Sequence, residues 1–317
     1  MLVKRSVVGR TNVSVTEVGL GAAPLGNLGG ALDGATAAAV VDAAWAAGVR
    51  YFDTAPHYGV GLSETRLGDA LRGRPRGEYT VSTKVGRLLV DDPEAPTAGE
   101  GFVGTPARRR VLDYSRDGVR RSLAASLDRL GLDRVDIVLI HDPDAHWAQA
   151  VGEAYPALAE LRDQGVVGAI GVGMNQSAMP ARFVAETDLD CVMLAGRYTL
   201  LDRSGADLLD LCARRGVSVL GAGVYNSGLL ADPRPGATYD YAPADQALLA
   251  RALRLREVCA AHGVPLRAAA LRFVAAHPAV ATIVVGARDA AQIADTVALA
   301  ASEIPARLWA ELDAVQA

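Results

Sequence analysis

Four ionisable side chains stand at, or shortly after, the ends of short apolar segments whose composition predicts β-strands. They are Asp53, Tyr58, Lys84 and His141. In a barrel of parallel strands the carboxyl ends meet at one face, where active sites are built. Each residue alone has an ordinary structural explanation, but four of them on one predicted face favour a functional site, because acid–base groups concentrate in clefts.

A tyrosine beside a lysine and a carboxylate predicts proton transfer at a carbonyl or carbinol oxygen. A tyrosine in water has a pKa of about 10, and lowering this pKa by about 3 units requires roughly 4 kcal/mol. An ammonium group about 4 Å away supplies on the order of 4 kcal/mol at an effective dielectric constant of about 20. We therefore expect Lys84 to lower the pKa of Tyr58, Asp53 to hold the ammonium, and His141 to donate a hydrogen bond to a substrate oxygen.

A metal site is the competing interpretation of the segment that begins at His141. Two imidazoles and two carboxylates stand within it, from His141, Asp142, Asp144 and His146, and such groups bind Zn²⁺ or Mn²⁺. All of them come from one loop, however, and no companion histidine–carboxylate set stands at another predicted strand end. We therefore expect no metal.

Short apolar segments alternate with segments of helical spacing along the chain. The predicted strands are Val18–Gly21, Arg50–Asp53, Tyr79–Lys84, Val135–His141, Val166–Val172, Asp190–Ala195, Val217–Leu220 and Thr282–Val285. The predicted helices are Thr36–Ala47, Ser63–Leu71, Arg116–Leu130, Ala148–Gln164, Ser177–Glu186, Ala206–Arg215 and a region Asp245–Ala276 that divides near Gly263. This alternation predicts a parallel sheet with helical crossovers.

Eight strands without a break in composition predict one α/β domain over residues 1–317, a single (β/α)8 TIM barrel, with an open doubly wound sheet as the alternative. Leu2–Val8 and Val13–Val15 predict a β-hairpin before the barrel, and extra helices are expected at the C-terminus. Gly86–Asp113 and Asn226–Pro243, rich in Pro, Gly and Asp, are predicted to be irregular loops. Long loops in a compact barrel are more often functional than accidental.

Composition and charge argue against several classes of function. The chain has 317 residues, 50% of them hydrophobic, and 32 basic against 36 acidic residues give a formal charge of −4. Without a basic stripe, nucleic-acid binding is not expected. The first residues lack the apolar core of a signal peptide and the apolar stretch Ala268–Gly286 is interrupted by charge and proline, so neither export nor a membrane span is expected. Three widely spaced cysteines indicate a cytoplasmic protein with reduced thiols.

The residues around the four ionisable side chains resemble the aldo-keto reductase family. The likeness runs through Gly48–Ala55 with Tyr58 and Gly59, then Ser82–Lys84, then Leu127–Asp136 before His141. The resemblance implies a (β/α)8 barrel, an NAD or NADP cofactor, and a catalytic tetrad of Asp53, Tyr58, Lys84 and His141 in which Tyr58 is the acid–base residue.

The same resemblance implies which residues bind the cofactor. They are Asn175, Arg197, Asn226, Ser227, Gly228, Leu230, Gly286, Arg288 and Gln292. The pattern departs from the family at Met174, where a Ser is common, at Arg197, where a Gln is usual, and at Gln292, where NADP-preferring members carry a basic residue. The last of these departures, together with Thr296 where an Asn is frequent, favours NAD or the use of both cofactors, with Arg288 left as the clear cation for a 2′-phosphate.

Within the family, the segments after the fourth, sixth and seventh predicted strands are similar to the branch that contains the L-fucose, D-threo-aldose and galactose dehydrogenases. This implies oxidation of C1 of an aldose of the L-fucose, D-arabinose or L-galactose type to a lactone. Candidate substrate contacts are His57, Asp142, Asp144, His146 and Trp147.

Two alternatives stay open from the sequence. One is another substrate, as in a pyridoxal 4-dehydrogenase or a general aldehyde or ketone reductase. The other is a nicotinamide-binding regulatory subunit with little turnover. The expected substrate is a small-molecule sugar or aldehyde, and the protein is expected to be a monomer or a homo-oligomer.

Overall fold

The computed structural model describes residues 4–316. Eight parallel strands close into a barrel in which each strand pairs with the next along the chain and the last pairs with the first. The strands are β1 (Val18–Gly21), β2 (Tyr51–Asp53), β3 (Thr80–Val85), β4 (Ile137–His141), β5 (Ala169–Met174), β6 (Cys191–Ala195), β7 (Ser218–Ala222) and β8 (Val280–Gly286). All eight predicted strands are present, with their ends shifted by a few residues, and the (β/α)8 prediction is confirmed.

Helices surround the barrel. They are α1 (Gly34–Ala46), α2 (Leu62–Leu71), α3 (Arg116–Leu130), α4 (Tyr155–Asp163), α5 (Ala178–Glu186), α6 (Ala206–Arg215), α7 (Gln246–Ala261), α8 (Leu266–Ala275), α9 (Ala290–Ala300) and α10 (Ala306–Gln316). A helical turn at Trp147–Gln149 and a π-helical turn at Ala150–Ala154 lead into α4. The predicted division of the Asp245–Ala276 region is found between α7 and α8, where Gly263 has a φ of +67° and Pro265 precedes the new helix.

The register of the first strands sets which side chains enter the barrel. Asp53 pairs with Ser82, and Lys84 pairs with Leu139. Successive side chains of a strand point to opposite faces, so Ser82 and Lys84 share one face of β3, and His141, two residues after Leu139, continues that face on β4. Asp53, Lys84 and His141 therefore lie together at the carboxyl end of the barrel.

The hairpin before the barrel is present, with Arg5–Val7 antiparallel to Ser14–Thr16. Leu2, where the predicted hairpin began, lies outside the described residues. Val8 and Val15 are buried in one apolar cluster with Tyr51 and other residues that fill the barrel. The hairpin thus closes the amino end of the barrel and leaves its carboxyl end for the site.

Both segments expected to be irregular contain short strands, so that part of the prediction was wrong. In the first, Arg87–Asp91 pairs with Arg108–Leu112 and Ala98–Gly99 pairs with Phe102–Val103. In the second, Thr238–Tyr239 pairs with Ala242–Pro243. Their Pro, Gly and charged residues hide the alternation that marks a strand, because these hairpins lie over the barrel and not in its core.

No single helix among the described residues is long and apolar enough to cross a membrane. The helices α7 and α8 pass a length and composition test only as a pair, and they are bent by 97° relative to each other.

Candidate active site

The ammonium group of Lys84 is the centre of the site. Its Nζ lies 2.9 and 2.8 Å from the two carboxylate oxygens of Asp53, 3.0 Å from the carbonyl oxygen of Thr54 and 3.1 Å from the hydroxyl oxygen of Tyr58. The side chains of Lys84 and Asp53 are 2% and 3% exposed. A buried ion pair with further hydrogen bonds has a fixed geometry, so Lys84 holds the Tyr58 hydroxyl at one place.

The turn that carries Tyr58 is fixed by close backbone contact. Gly59, which follows it, has a φ of +62°, and a Cβ atom there would lie 2.3 Å from the carbonyl oxygen of Gly26. Glycine is therefore required at this position, both for its conformation and for lack of space. This contact brings Tyr58 back over the ends of the strands.

Two residues beneath the tetrad were not identified as site residues from the sequence. Ser82 Oγ donates to Asp53 Oδ1 at 2.7 Å, and the hydroxyl of Tyr51 lies 2.9 Å from Ser82 Oγ. Both side chains point into the barrel, as Asp53 does. Because side chains alternate between the two faces of a strand, their spacing along β2 and β3 is the signal in the sequence that could have identified them. They orient the carboxylate that holds Lys84.

Burial and the charges of neighbouring groups together raise the pKa values of both Tyr58 and Lys84. Burial raises the pKa of Tyr58 to about 12, although the nearby Lys84 ammonium lowers it. For Lys84, burial lowers the pKa, but Asp53 and Tyr58 outweigh this effect and the net pKa is raised. The expectation that Lys84 would bring the pKa of Tyr58 well below 10 was therefore wrong for the ligand-free protein, because the desolvation of a buried hydroxyl exceeds the attraction of one ammonium.

His141 is a neutral hydrogen-bond donor. Burial, together with the positive charges of Lys84 and Arg87 and the ring of His57, lowers its pKa well below the usual value. Its Nδ1 atom is buried without a hydrogen-bond partner among the described residues, and its Nε2 lies 3.5 Å from Asp142 Oδ2. An acceptor beside Nε2 and none beside Nδ1 favour the tautomer with hydrogen on Nε2.

Two of the five predicted substrate contacts lie beside the tetrad. The His57 ring centroid is 5.5 Å from that of His141, and burial with the nearby Arg87, Arg110 and Lys84 charges lowers the pKa of His57 to about 3. Asp142 follows His141 directly and is mostly buried, with 27% of its side chain exposed.

The other three predicted contacts point elsewhere. The ring of His146 packs on Tyr114 with centroids 5.1 Å apart, and Asp144 accepts a hydrogen bond from Gln176 at 3.3 Å. Trp147 packs on Phe183 of α5, 4.7 Å between centroids. The side chains of the His141–His146 segment thus diverge, and within residues 4–316 no three His, Cys, Asp or Glu side chains are arranged to hold a metal ion.

The first long loop supplies site residues that the sequence did not reveal. Phe102 is 3% exposed, and its ring lies 6.3 Å from that of Tyr58 at an interplanar angle of 27°. Arg87 pairs with Asp142 at 2.9 Å, and the Tyr114 hydroxyl donates to the carbonyl oxygen of His141 at 2.7 Å. An isolated phenylalanine within a Gly- and Pro-rich loop was the one available signal for such a role.

The residues implied to bind a cofactor lie on the other half of the barrel rim. Asn175 is exposed just after β5, Arg197 follows β6, and Asn226, Ser227, Gly228 and Leu230 follow β7. Gly286 ends β8, Arg288 follows it, and Gln292 lies in the first turn of α9. The tetrad comes from β2, β3 and β4. A ligand spanning these two halves would cross the mouth of the barrel.

The segment after β7 fits part of a nicotinamide cofactor. Asn226 is buried; its Nδ2 donates to the Gly196 carbonyl oxygen at 3.1 Å, while Oδ1 has no partner within the described chain. A free acceptor suits a ribose hydroxyl or a carboxamide N–H. At Gly228, with a φ of +104°, a Cβ atom would meet no atom within 4 Å, so its backbone is open to a ligand.

Arg197 and Arg288 are already engaged with protein groups. Both terminal nitrogens of Arg197 bond to the Asp240 carboxylate, at 3.0 and 2.7 Å. Arg288 donates to the carbonyl oxygens of Leu28 at 2.5 Å and Gly30 at 3.2 Å. Neither guanidinium is free to receive a phosphate without giving up these contacts.

The first turn of α9 is capped by its own residues. Asp289 accepts from the backbone N–H of Gln292 at 2.8 Å, and Gln292 Oε1 accepts from the backbone N–H of Arg288 at 2.9 Å. A carboxylate at the N-cap places negative charge where a helix N-terminus would otherwise favour an anion. The Asp289 carboxylate therefore opposes the binding of an anion at this helix end.

Comparison with known proteins agrees with this geometry. The profile of the Aldo/keto reductase family matches residues 17–317. A D-threo-aldose 1-dehydrogenase from Pseudomonas sp is 46% identical, covering 95% of this chain and 94% of that protein. A pyridoxal 4-dehydrogenase from Microbacterium luteolum is 41% identical, covering 98% and 96%. The holo form of an aldo-keto reductase from Bacillus halodurans has a TM-score of 0.79 at 26% identity, covering 99% of this chain and 97% of its own.

The chain therefore belongs to the aldo/keto reductase family. It is an oxidoreductase of the class that uses a nicotinamide cofactor and a small-molecule substrate.

Proposed function

We propose that this protein is an aldose 1-dehydrogenase that oxidises the C1 hydroxyl of a cyclic sugar, of the L-fucose, D-arabinose or L-galactose type, to a lactone. The observation that carries the proposal is the Tyr58 hydroxyl held 3.1 Å from Lys84 Nζ, with the ring of His141 6.0 Å from that of Tyr58. In this arrangement the proton carrier Tyr58 and the hydrogen-bond donor His141 can both contact the same substrate oxygen. The 46% identity to a D-threo-aldose 1-dehydrogenase supports the choice of a sugar.

In this proposal Tyr58 handles the proton and His141 orients the substrate. The C1 hydroxyl gives its proton to the Tyr58 oxygen while the C1 hydrogen leaves as hydride, and the C1–O bond becomes the carbonyl of the lactone. An oxidised nicotinamide cofactor, held by the residues that follow β5, β7 and β8, would supply the acceptor for this hydride and a positive charge at the mouth of the barrel. Lys84 stabilises the tyrosinate, and Nε2–H of His141 donates to the oxygen at C1.

We propose NAD as the preferred cofactor, held by Asn175, Asn226, Ser227, Gly228 and Leu230 with the backbone at Gly286. Arg288 already donates to three backbone carbonyl oxygens, those of Leu28, Gly30 and Ala31, and Asp289 caps α9 with negative charge. To bind the 2′-phosphate of NADP, Arg288 would have to give up its backbone contacts, and the phosphate would approach the Asp289 carboxylate. Both changes cost free energy that the binding of NAD does not cost. The rim of the cofactor site is then held in shape by the protein contacts of three side chains, Arg197, Arg288 and Gln292.

For the substrate we propose contacts with His57 and Asp142 and an apolar face on Phe102. The rings of His57 and Phe102 lie 6.0 and 6.3 Å from the Tyr58 ring, and Asp142 lies beside His141. The other three candidates already have protein partners: Asp144 contacts Gln176, His146 packs on Tyr114 and Trp147 packs on Phe183. A sugar needs polar anchors beside a flat apolar surface.

The test is a turnover screen of the purified full chain. Aldoses and pyridoxal are each supplied with NAD and with NADP, and the reduced cofactor is followed by its absorbance. The proposal expects turnover of an aldose with a lower KM for NAD, and formation of the lactone by mass spectrometry. Turnover of pyridoxal alone would replace the proposed substrate by that of the 41% identical relative. Tight cofactor binding without turnover of any sugar, aldehyde or ketone would instead favour the regulatory subunit.

We also infer one domain over residues 1–317 and a reducing, cytoplasmic location. The matched family profile and the barrel strands together run through nearly all of the chain. Cys191, Cys212 and Cys259 are buried and free, as expected of thiols in a reducing compartment. Fractionation of cells and limited proteolysis test these two points.

A further inference from the structure

Arg87 lies between two groups of the substrate mouth. One terminal nitrogen donates to Asp142 Oδ2 at 2.9 Å, and the other lies 3.5 Å from His57 Nδ1. The Arg87 side chain is 18% exposed. A planar guanidinium can bridge two partners in this way, whereas a lysine ammonium is a single point charge.

Asp142 has a strained backbone that its contacts maintain. Its φ is +41°, a conformation that residues other than glycine rarely adopt and that costs about 1 kcal/mol or more. Arg87 holds its carboxylate, and the Tyr114 hydroxyl donates to its carbonyl oxygen at 2.9 Å. Only Oδ2 has partners, so Oδ1 accepts no hydrogen bond from the residues that the structure describes. Strain of this kind is typical of functional positions.

The charge of Arg87 also acts on the neighbouring imidazole of His141, in addition to the larger effects of burial and Lys84. Asp142 Oδ2 is 3.5 Å from His141 Nε2, and an unbalanced carboxylate at that distance would raise the pKa of His141. A charged imidazole would then pair with Asp142 and turn its Nε2–H away from a substrate. Arg87 opposes this effect, and it is among the groups that lower the pKa of both His141 and His57.

The other groups around His141 are few. Lys84 comes from β3, His57 and Tyr58 come from the turn after β2, and Asp142 is the adjacent residue. Lys84 is already paired with Asp53. Arg87 is therefore the cation that pairs with Asp142. If Arg87 is removed, the negative charge of Asp142 has no paired cation and lies beside the imidazole of His141.

We propose that Arg87 is a positioning residue that keeps His141 an uncharged donor and holds the Asp142 carboxylate as the acceptor for a hydroxyl group on the carbon next to the reacting carbon. The part about the hydroxyl group rests on the proposed function, since it assumes a polyhydroxylated substrate. The part about His141 holds for any carbonyl or carbinol substrate.

The first test compares Arg87→Gln and Arg87→Lys with the wild-type enzyme on D-arabinose and on 2-deoxy-D-ribose, which is the same sugar without its C2 hydroxyl. We expect Arg87→Gln to raise the KM for D-arabinose by roughly 10- to 100-fold, because a hydrogen bond to a charged group is lost. The KM for the deoxy sugar should change much less. Equal changes for both sugars would overturn the role of Asp142 in binding that hydroxyl.

The second test needs no turnover. Proton NMR follows the histidine ring signals between pH 5 and 8, with His57→Gln and His141→Gln spectra to assign them. In the wild type the His141 signal should not titrate; in Arg87→Gln it should, and in Arg87→Lys, which keeps the charge, it should not. In the Arg87→Gln/Asp142→Asn double variant the titration should disappear again, because both charges are gone.

The two tests separate the possible failures. A His141 signal that does not titrate in Arg87→Gln overturns the electrostatic role of Arg87. If the wild type oxidises no aldose but the NMR titrations follow the expected pattern, the proposed function fails and the control of His141 by Arg87 stands. If Arg87→Gln does not fold, Arg87→Met takes its place in both tests, because it also removes the charge and leaves the Asp142 carboxylate unbalanced.

Discussion

The Lys84 ammonium donates a hydrogen bond to the Tyr58 hydroxyl across 3.1 Å, and it lies 4.6 Å from the centre of the Tyr58 ring. The same ammonium is paired with a buried carboxylate, so it stays charged. This contact stabilises a tyrosinate once one forms, yet burial keeps the resting tyrosine protonated, with a pKa of about 12.

Removing the Tyr58 hydroxyl should abolish most of the turnover. In Tyr58→Phe we expect kcat to fall by roughly 10²- to 10⁴-fold, because a positioned proton carrier contributes that much. The dissociation constant of the cofactor, measured by fluorescence, should stay within about 3-fold of the wild-type value, since the cofactor residues lie on the other half of the rim. Tyr155→Phe, which removes a hydroxyl that bonds to Asp188 away from the site, is the matched control. A fully active Tyr58→Phe enzyme would falsify the assignment.

The rate of oxidation should rise with pH. Tyr58 must be deprotonated to accept a proton, and its pKa of about 12 in the free protein means that the tyrosinate fraction grows throughout the range from pH 7 to 10. Lys84→Met removes the charge that favours tyrosinate, so it should lower the rate and move the rising limb to higher pH. The measurement is kcat/KM for oxidation against pH. A rate independent of pH, in both enzymes, would contradict this role for Tyr58.

The free energy of unfolding should decrease as the pH is lowered, and His57 should contribute to this decrease. Its pKa is about 3 in the folded chain, against about 6.5 when exposed. Between these values the unfolded chain holds one more proton, so the free energy of unfolding decreases as the pH falls, by up to about 1.4 kcal/mol per pH unit. Urea unfolding of the wild type and of His57→Gln at pH 7 and pH 5 should show a smaller loss in the variant. Parallel losses in the two proteins would rule out this contribution.

Cofactor preference should respond to Gln292. This exposed residue stands in the first turn of α9, and Gln292→Arg supplies a cation not already engaged as Arg288 is. A charge-assisted hydrogen bond to a 2′-phosphate is worth about 1.5–3 kcal/mol, so the KM for NADP should fall by roughly 10-fold or more while that for NAD changes little. Gln246→Arg, the same exchange at the start of α7, is the control. An unchanged NADP to NAD ratio in Gln292→Arg would argue against the 2′-phosphate lying there.

Glu64 should be important for stability. It is fully buried, accepts from Thr83 at 2.7 Å and from Arg129 at 2.6 Å, and so ties β3 to α2 and α3. In Glu64→Leu the mostly buried Arg129 loses its partner, and we expect the free energy of unfolding to fall by about 3–5 kcal/mol. Asp69→Leu breaks an exposed pair between the last turn of α2 and Arg72, which follows this helix, and should cost less than about 1 kcal/mol. Chemical denaturation measures both, and similar losses would show that the buried pair carries no special weight.

The sequence by itself determined the barrel and the meeting of Asp53, Lys84 and His141. Both follow from local rules: apolar segments alternate with helical ones, and side chains at the ends of parallel strands must share one face. The strand ends were displaced because β-strand boundaries depend on pairing with neighbours, as at β5, which begins at Ala169 and not at Val166.

Only the tertiary structure decided the surroundings of those residues. Phe102 on Tyr58, Arg87 on Asp142 and Arg197 on Asp240 join segments that are far apart in the chain. No period or composition encodes such contacts. The protonation of Tyr58 was decided in the same way, because it depends on how deeply the hydroxyl is buried as well as on the one ammonium that the sequence revealed.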